Sequence, residues 1–345
     1  MALATVVLAG TALADRLRLP APLLLIAVGV ALAYVPALPE VHLEPEVVLV
    51  GLLPPLLYTA AIQTSLVDFA THRKPILMLS VGLVVVTTVA VGAVVQWLLP
   101  GLGWPAALAI GAVVAPPDAV AATAIARRIG LPRVVVTVLE GESLLNDATA
   151  LVALRSAIAA IAGTVSAVQV GVDFFVAAAG GALVGFVVFW LVASVRRHIS
   201  DPLLDTALSF VVPFAAYLAG EEIHASGVIA VVVAGLLLGH KAPIIQSAPS
   251  RITERTTWRS ISFLLENAVF LLIGLQARWI IEAVGASTLG VGQIAGLCAA
   301  VLATVIVVRL VWVSALQVPL VGRGVAGASP GRTVCWPGGP ACGAW

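Results

Sequence analysis

One polar stretch decides the fold of this chain: Leu139-Glu-Gly-Glu-Ser-Leu-Leu-Asn-Asp147. It lies inside an apolar run from about residue 131 to residue 162, which at about 1.5 Å per helical residue is long enough to cross a bilayer. On a helix, the polar side chains of this stretch share one stripe because of their spacing: Glu142, Ser143, Asn146 and Asp147. Ionisable groups at membrane depth are costly, and by default they mark an ion or proton path.

Composition indicates a polytopic membrane protein. The 345-residue chain is 61% hydrophobic and 10% charged, with a mean hydropathy of +1.12, whereas about a quarter of the residues of a soluble domain are charged. The three cysteines, Cys298, Cys335 and Cys342, have no paired spacing, which argues against a disulfide framework or a metal site. We expect no cofactor, no nucleic-acid partner and no metal beyond a transported cation.

Apolar runs separated by charged or Pro/Gly-rich breaks predict an all-α fold. We place eleven spans, centred near residues 8, 28, 55, 86, 115, 147, 182, 212, 232, 270 and 302. Nearly all loop lysines and arginines then fall on one side of the membrane, Arg196 and Arg197 among them, whereas Glu40, Glu44 and Glu46 fall on the other. The positive-inside rule puts the basic loops in the cytoplasm and the N-terminus outside. We therefore expect a multi-pass protein of the cell (inner) membrane.

The fifth span contains a predicted interruption. Pro116 and Pro117 precede Asp118, and two successive prolines remove two backbone donors and disfavour helix in the residue before them. Irregular backbone at membrane depth occurs where it lines a cavity or is buried in protein, and interrupted helices form ion sites in secondary transporters. The backbone carbonyl of Pro117 is a candidate cation ligand. Asp118 is either a helix cap at the break or a ligand, and the two roles are compatible.

A second intramembrane charge is Arg309, in the eleventh predicted span. A guanidinium there requires a partner, and the carboxylates available within the spans are Glu142 and Glu266. These three residues form either a structural ion pair or part of the ligand set. For Asn146 and Asp147, the alternative to ion binding is a structural pair between helices.

These motifs resemble the cation/proton antiporter superfamily, and more narrowly its bacterial Na⁺/H⁺ exchanger branch with an Asn-Asp pair. The most specific motif is Gly-Glu-Ser-x-x-Asn-Asp, and the resemblance covers about residues 15 to 325. The stretches that carry the resemblance are Glu140-Gly-Glu-Ser-Leu-Leu-Asn-Asp-Ala-Thr-Ala-Leu-Val152, Asp118-Ala-Val-Ala-Ala-Thr-Ala124, Arg127-Arg-Ile-Gly-Leu-Pro132, Leu53-Pro-Pro-Leu-Leu-Tyr58 and Phe270-Leu-Leu-Ile-Gly-Leu-Gln276.

The resemblance implies a helical fold of inverted repeats with about thirteen spans. That fold is divided into a dimerisation domain and a mobile ion-carrying core, so the resemblance also implies a homodimer in the lipid bilayer. It implies that Asp147 is the main ligand of the cation and the proton, with Ser143 beside it. Asp118 would contribute from the interrupted fifth span.

The resemblance also assigns residues that orient the site. Asn146 is implied to interact with Glu142 and Arg309 rather than to carry charge. Glu266 matches an acidic position near that network. The roles of these four residues are therefore expected to be positional.

Two departures from the family pattern stand out. The family usually has threonine before the aspartate that matches Asp118, whereas this chain has Pro117, so a hydroxyl ligand is missing. The family also continues for two more spans after the eleventh. We therefore expect a transmembrane domain over residues 1–325 and an atypical tail over 326–345. Two cysteines and two tryptophans lie in the last eleven residues, which suggests translation out of frame after a frameshift near 325–333.

The predicted function is exchange of a monovalent cation, Na⁺ first and Li⁺ or K⁺ as alternatives, for H⁺ by alternating access. The proton and the cation compete for the carboxylate of Asp147, which is enough to couple the two fluxes. Because Asn146 replaces a second acid, one proton replaces one cation and the exchange is expected to be electroneutral.

Two other readings compete with an active exchanger. One is a truncated membrane remnant that keeps the polar stripe but does not transport. The other is an intramembrane aspartyl protease, in which Asp118 and Asp147 would share a proton at close range. The flanking Asn146 and Glu142 are typical of the transporter motif and disfavour the protease.

Overall fold

The computed structural model describes residues 2–35, 44, 47–117, 133–161, 163, 167–285 and 289–324. Within these ranges the regular structure is helical and contains no strand. The helices are α1 (Ala2–Leu17), α2 (Ala21–Ala33), α3 (Leu53–Gln63), α4 (Leu66–Thr71), α5 (Arg73–Leu77), α6 (Val84–Leu98), α7 (Trp104–Val114), α8 (Arg133–Ile161), α9 (Ala167–Arg196), α10 (Pro202–Glu222), α11 (Gly227–Ile245), α12 (Ala248–Leu275), α13 (Ala277–Gly285) and α14 (Val291–Gly324). Six-residue π-helical segments precede α3 (Val47–Leu52) and join α5 to α6 (Met78–Leu83), and a short 3₁₀ turn (Pro100–Leu102) precedes α7.

Most of these elements suit a membrane. Among the described residues, seven helical stretches are long and apolar enough to span one: Arg73–Leu98, Val135–Ile161, Phe175–Arg196, Pro202–Glu222, Gly227–Ile245, Ala248–Gly285 and Val291–Ala315. Three shorter apolar helical stretches accompany them: Ala21–Ala33, Val47–Gln63 and Trp104–Val114. The predicted all-α, multi-pass membrane fold is confirmed, while the number of eleven spans stays a prediction.

Local sequence signals explain where several helices begin and end. Asp201, Ser226 and Ser247 are N-caps whose side chains accept hydrogen bonds from the backbone N–H groups of the following turn. At the predicted interruption, α7 ends at Val114 and the backbone at Pro117 is not helical. The helix therefore stops where the paired prolines predict it.

The helices form two groups that meet at α8. In one group, α6 packs against α7 and α14, and α7 packs against α8. In the other, α3, α9, α10, α11 and α12 pack around a core that includes Tyr58, Val231 and Trp258, while α2 lies along α12. Leu144 and Ala148 of α8 belong to that same core. The helix that carries the polar stripe is therefore shared by both groups.

Small residues allow some of these helices to approach closely, as is common between helices in membranes. A Cβ atom on Gly111 of α7 would lie 2.3 Å from the carbonyl oxygen of Thr88 on α6. A Cβ atom on Gly274 of α12 would lie 2.3 Å from the carbonyl oxygen of Ile26 on α2. Both crossings therefore depend on glycine.

Candidate functional site

The predicted polar stripe lies along α8 and differs in accessibility from residue to residue. Glu142 and Asn146 are buried, with 2% and 0% of their surface exposed. Ser143 is half-buried, whereas Asp147 is exposed. The stripe thus places two polar residues inside the helix packing and one carboxylate at an accessible position.

The buried carboxylate of Glu142 is held by Arg309 of α14. Arg309 Nη2 lies 2.9 Å from Oε1 and 3.2 Å from Oε2 of Glu142. The glutamate side chain is 3% exposed and the arginine side chain 31% exposed. Of the two partners that the sequence offered for Arg309, the structure therefore places Glu142 beside it. The negative charge of Glu142 is compensated within the site, as a buried carboxylate requires.

The position of Arg309 follows from the packing of α14. One turn further along this helix, Trp312 donates a hydrogen bond from Nε1 to the carbonyl oxygen of Met78 at 3.2 Å. Met78 begins the π-helical segment that joins α5 to α6. The indole also lies where Gly82 has no side chain, since a Cβ atom there would be 2.8 Å from the ring of Trp312. A glycine and an indole hydrogen bond therefore hold α14 at the level of Glu142.

Asn146 contacts the non-helical segment that follows α7 rather than the ion pair. Its Nδ2 lies 3.5 Å from the carbonyl oxygen of Pro117, and its buried Oδ1 has no hydrogen-bond partner among the described residues. Among the described residues, Asn146 makes no hydrogen bond with Glu142 or Arg309, and its expected part in that network stays a prediction. The carboxylate of Glu142 is occupied by the guanidinium of Arg309, and the acceptor that the amide of Asn146 contacts is the carbonyl oxygen of Pro117, which follows α7.

The structure gives less information on the two remaining predicted residues, Glu266 and Asp118. Glu266 lies half-buried on α12 and accepts a hydrogen bond of 2.6 Å from Ser262 on the same helix. Asp118 lies outside the described residues, and so does the tail from residue 325 onward. The structure thus brings together Glu142 with Arg309 and Asn146 with Pro117.

A second buried charged cluster was missed by the sequence analysis. Arg196 was assigned to a basic loop, but it ends α9 and is 2% exposed. Its Nε lies 3.2 Å from Asp205 Oδ1, and its Nη2 lies 2.8 Å from Glu254 Oε1. Gln246 Nε2 donates to both carboxylates, at 2.8 Å and 2.6 Å. The sequence feature that could have indicated this cluster is the presence of two acidic residues, Asp205 and Glu254, close to span ends where the other charged residues are mostly basic.

The fold and the stripe define a class of protein. A multi-pass helical protein with a buried ion pair, a buried amide and an exposed carboxylate on a helix packed against the end of α7 has features that are typical of secondary ion transporters. Comparison with known proteins agrees, because the family model described as the transmembrane sodium/hydrogen exchanger matches residues 3–326. The chain belongs to the sodium/hydrogen exchanger family, and the prediction of a transporter rather than an enzyme is confirmed at the level of that family.

Individual relatives cover most of this chain. An uncharacterized Na⁺/H⁺ exchanger of Mycobacterium tuberculosis, Rv2287, is 38% identical over 323 residues, which are 92% of this chain and 58% of the relative. A sodium, potassium, lithium and rubidium/H⁺ antiporter of Bacillus pumilus is 35% identical over 266 residues, which are 75% of this chain and 40% of the relative. This chain therefore spans little more than half the length of the first relative and less of the second.

A solved structure shows the same fold. The sodium proton antiporter MjNhaP1 from Methanocaldococcus jannaschii matches with a TM-score of 0.63 at 19% sequence identity. The match covers 79% of this chain and 69% of the antiporter. The helical arrangement described above is therefore that of a known antiporter fold.

Proposed function

We propose that this protein exchanges a monovalent cation for protons across the cell membrane, with Asp147 as the group that binds either one. The observation that supports this most is the contrast between two carboxylates on α8. Glu142 is buried and neutralised by Arg309, whereas Asp147 is exposed one turn further along. We propose that a proton or a cation reaches Asp147 from this uncovered side of α8.

The surroundings of Asp147 provide oxygen ligands for a hard cation. The hydroxyl of Ser143 lies one turn earlier on the same helix, and the carbonyl of Pro117 is brought to α8 through Asn146. We propose that Asp118 completes this set. The name of the Bacillus pumilus relative includes Na⁺, K⁺, Li⁺ and Rb⁺, which supports a monovalent cation and leaves its identity to measurement. We place Na⁺ first.

The stoichiometry follows from the charge of the stripe. Asn146 is neutral, and Glu142 keeps its charge in the pair with Arg309. We propose that Asp147 alone gains and loses the proton while Asp118 keeps its charge throughout, so that one proton replaces one cation and the transport cycle moves no net charge. We propose alternating access as the mechanism, with α8 moving relative to the group formed by α9 to α12. The protein would work as a homodimer, with the basic loops in the cytoplasm.

The test is cation-induced proton flux in everted membrane vesicles, comparing the unchanged chain with Asp147→Asn. We expect Na⁺, Li⁺ or K⁺ to dissipate the proton gradient in the unchanged chain and the variant to fall to the background of empty vesicles. Glu140→Gln is the matched control, since it neutralises a carboxylate on the same helix outside the proposed ligand set, and it should retain flux. Equal flux in Asp147→Asn and the unchanged chain would refute the role of Asp147.

Electroneutrality has its own measurement. In proteoliposomes, the membrane potential is clamped with K⁺ and valinomycin at several values while Na⁺-driven proton flux is recorded. A rate that does not change with the potential supports one proton for one cation. A rate that rises steeply with the potential shows that net charge moves, and it would require a second proton-carrying group.

A further inference from the structure

A cavity of about 230 Å³ lies at the ends of α3 and α11 and the start of α12, away from the stripe on α8. It adjoins the second charged cluster, in which Arg196 holds Asp205 and Glu254. The charged and polar residues that line it are Tyr58, Gln63, Arg196, Gln246, Arg251, Glu254 and Arg255. It is large enough for several water molecules or for one small polar ligand.

The fixed charge around this cavity is positive. Arg196 offsets the charge of only one of the two carboxylates, Asp205 and Glu254. The neutral amide of Gln246 donates to both, so the cluster alone carries one net negative charge. Arg251 and Arg255 add two guanidinium groups, which have no ion-pair partner among the described residues. The occupant that this arrangement favours is therefore an anion.

Unused hydrogen-bonding atoms define the anion further. Tyr58 is fully buried, and its hydroxyl lies near the guanidinium of Arg196 but forms no well-aligned hydrogen bond with the described residues. The buried Nε of Arg251 also lacks a hydrogen bond among these residues. Both atoms are donors. The Oε1 of Gln246 is a buried acceptor without a partner in the same part of the chain. A buried polar atom that lacks a partner costs free energy until water or a ligand satisfies it.

We infer that this cavity binds a phosphate group that retains one P–OH, either as inorganic phosphate or as the phosphomonoester of an anionic lipid. The phosphate oxygens accept hydrogen bonds from the guanidinium groups and from the hydroxyl of Tyr58, and the P–OH donates to Gln246. Arginine is suited to this task because its fork of N–H groups matches phosphate oxygens. Sulfate offers the same oxygens without the donor and should bind more weakly. This inference does not depend on the proposed exchange.

The test is calorimetric titration of the purified full chain, in zwitterionic detergent at constant ionic strength, with inorganic phosphate and with sulfate. We expect saturable phosphate binding that is about tenfold weaker for sulfate, and about tenfold weaker in Tyr58→Phe and in Arg251→Gln. Arg259→Gln is the matched control, because Arg259 is an exposed arginine one turn after Arg255 and does not line the cavity. It should bind phosphate like the unchanged chain.

A stability measurement separates a ligand site from a structural tyrosine. Because the hydroxyl of Tyr58 forms no well-aligned hydrogen bond with the described residues, Tyr58→Phe should melt at the same temperature as the unchanged chain or higher when phosphate is absent. With saturating phosphate, the unchanged chain should melt higher and the variant should gain less. A variant that is destabilised equally with and without phosphate would show a structural role and would overturn the inference.

Two further arms identify the source of the phosphate. The chain is placed in phosphatidylcholine nanodiscs that contain either phosphatidate, which is a phosphomonoester, or phosphatidylglycerol, which is a phosphodiester. Competition of phosphatidate alone with inorganic phosphate indicates the lipid as ligand, and no competition by either lipid indicates the free anion. Absence of saturable binding, or equal weakening in Arg259→Gln and Arg251→Gln, would overturn the inference and leave a cavity filled by water.

Discussion

Removing Arg309 should destabilise the protein through the charge that it leaves behind. In Arg309→Met the carboxylate of Glu142, whose side chain is 3% exposed, would lose the guanidinium that lies 2.9 Å away. Removing one partner of a buried ion pair costs about 3–5 kcal/mol, much of it the penalty of an uncompensated charge. Arg309 itself is 31% exposed, so the pair is only partly enclosed by protein, and we expect about 3 kcal/mol, the lower end of that range.

The double variant Glu142→Gln/Arg309→Met distinguishes a charge effect from lost packing. Both charges are then absent, and replacing a whole buried pair by neutral side chains is often close to neutral. We expect its free energy of unfolding to lie within about 1 kcal/mol of the unchanged chain. Arg278→Met is the control, since its pair with Glu282 is solvent-exposed and such pairs contribute about 1 kcal/mol or less.

The assay is reversible unfolding in mixed micelles, with all four chains measured under one set of conditions. A cost below about 1 kcal/mol for Arg309→Met, or a double variant no more stable than Arg309→Met, would refute the electrostatic reasoning. The same chains then undergo the proton-flux measurement. Exchange retained by the double variant assigns Glu142 and Arg309 to structure, whereas exchange lost from a stable double variant assigns Glu142 to the ligand set.

Two other predictions use the packing of the helices. Gly274→Ala would place a methyl group 2.3 Å from the carbonyl oxygen of Ile26. We expect this clash to lower the free energy of unfolding, measured in the same micelles, by about 1–3 kcal/mol. Gly285→Ala is the control that should have no effect, because no atom lies within 4 Å of the added methyl group. Arg155 on α8 forms an ion pair of 2.9 Å with Glu221 on α10. In a chain whose native cysteines have been replaced, cysteines are introduced at these two positions and joined by a short thiol-reactive cross-linker. We expect this cross-link to stop exchange. Undiminished exchange after complete cross-linking would contradict movement of α8 past α10.

Much of the fold could be predicted from the sequence because membrane helices obey strong local rules. An apolar stretch in lipid has to satisfy its backbone within itself, so hydropathy alone indicates the helices. The end of α7 was predictable from Pro116 and Pro117, since proline acts on the backbone directly. The partner of Arg309 was predictable to within two candidates, because few carboxylates lie inside the spans and a buried guanidinium requires one.

The cluster around Arg196 could not be predicted by the same rules. Arg196, Asp205 and Glu254 each lie within a few residues of a helix end, where charged side chains ordinarily face water and need no partner. These residues are buried because the end of α9 and the starts of α10 and α12 meet next to Trp258. The Nε1 of Trp258 donates a hydrogen bond of 2.9 Å to the hydroxyl of Ser209 on α10. Convergence of three helix ends is a property of tertiary packing, whereas hydropathy describes one helix at a time. Charges near the ends of membrane helices should therefore be treated as candidates for burial wherever acidic and basic residues occur at ends that the topology places on one side.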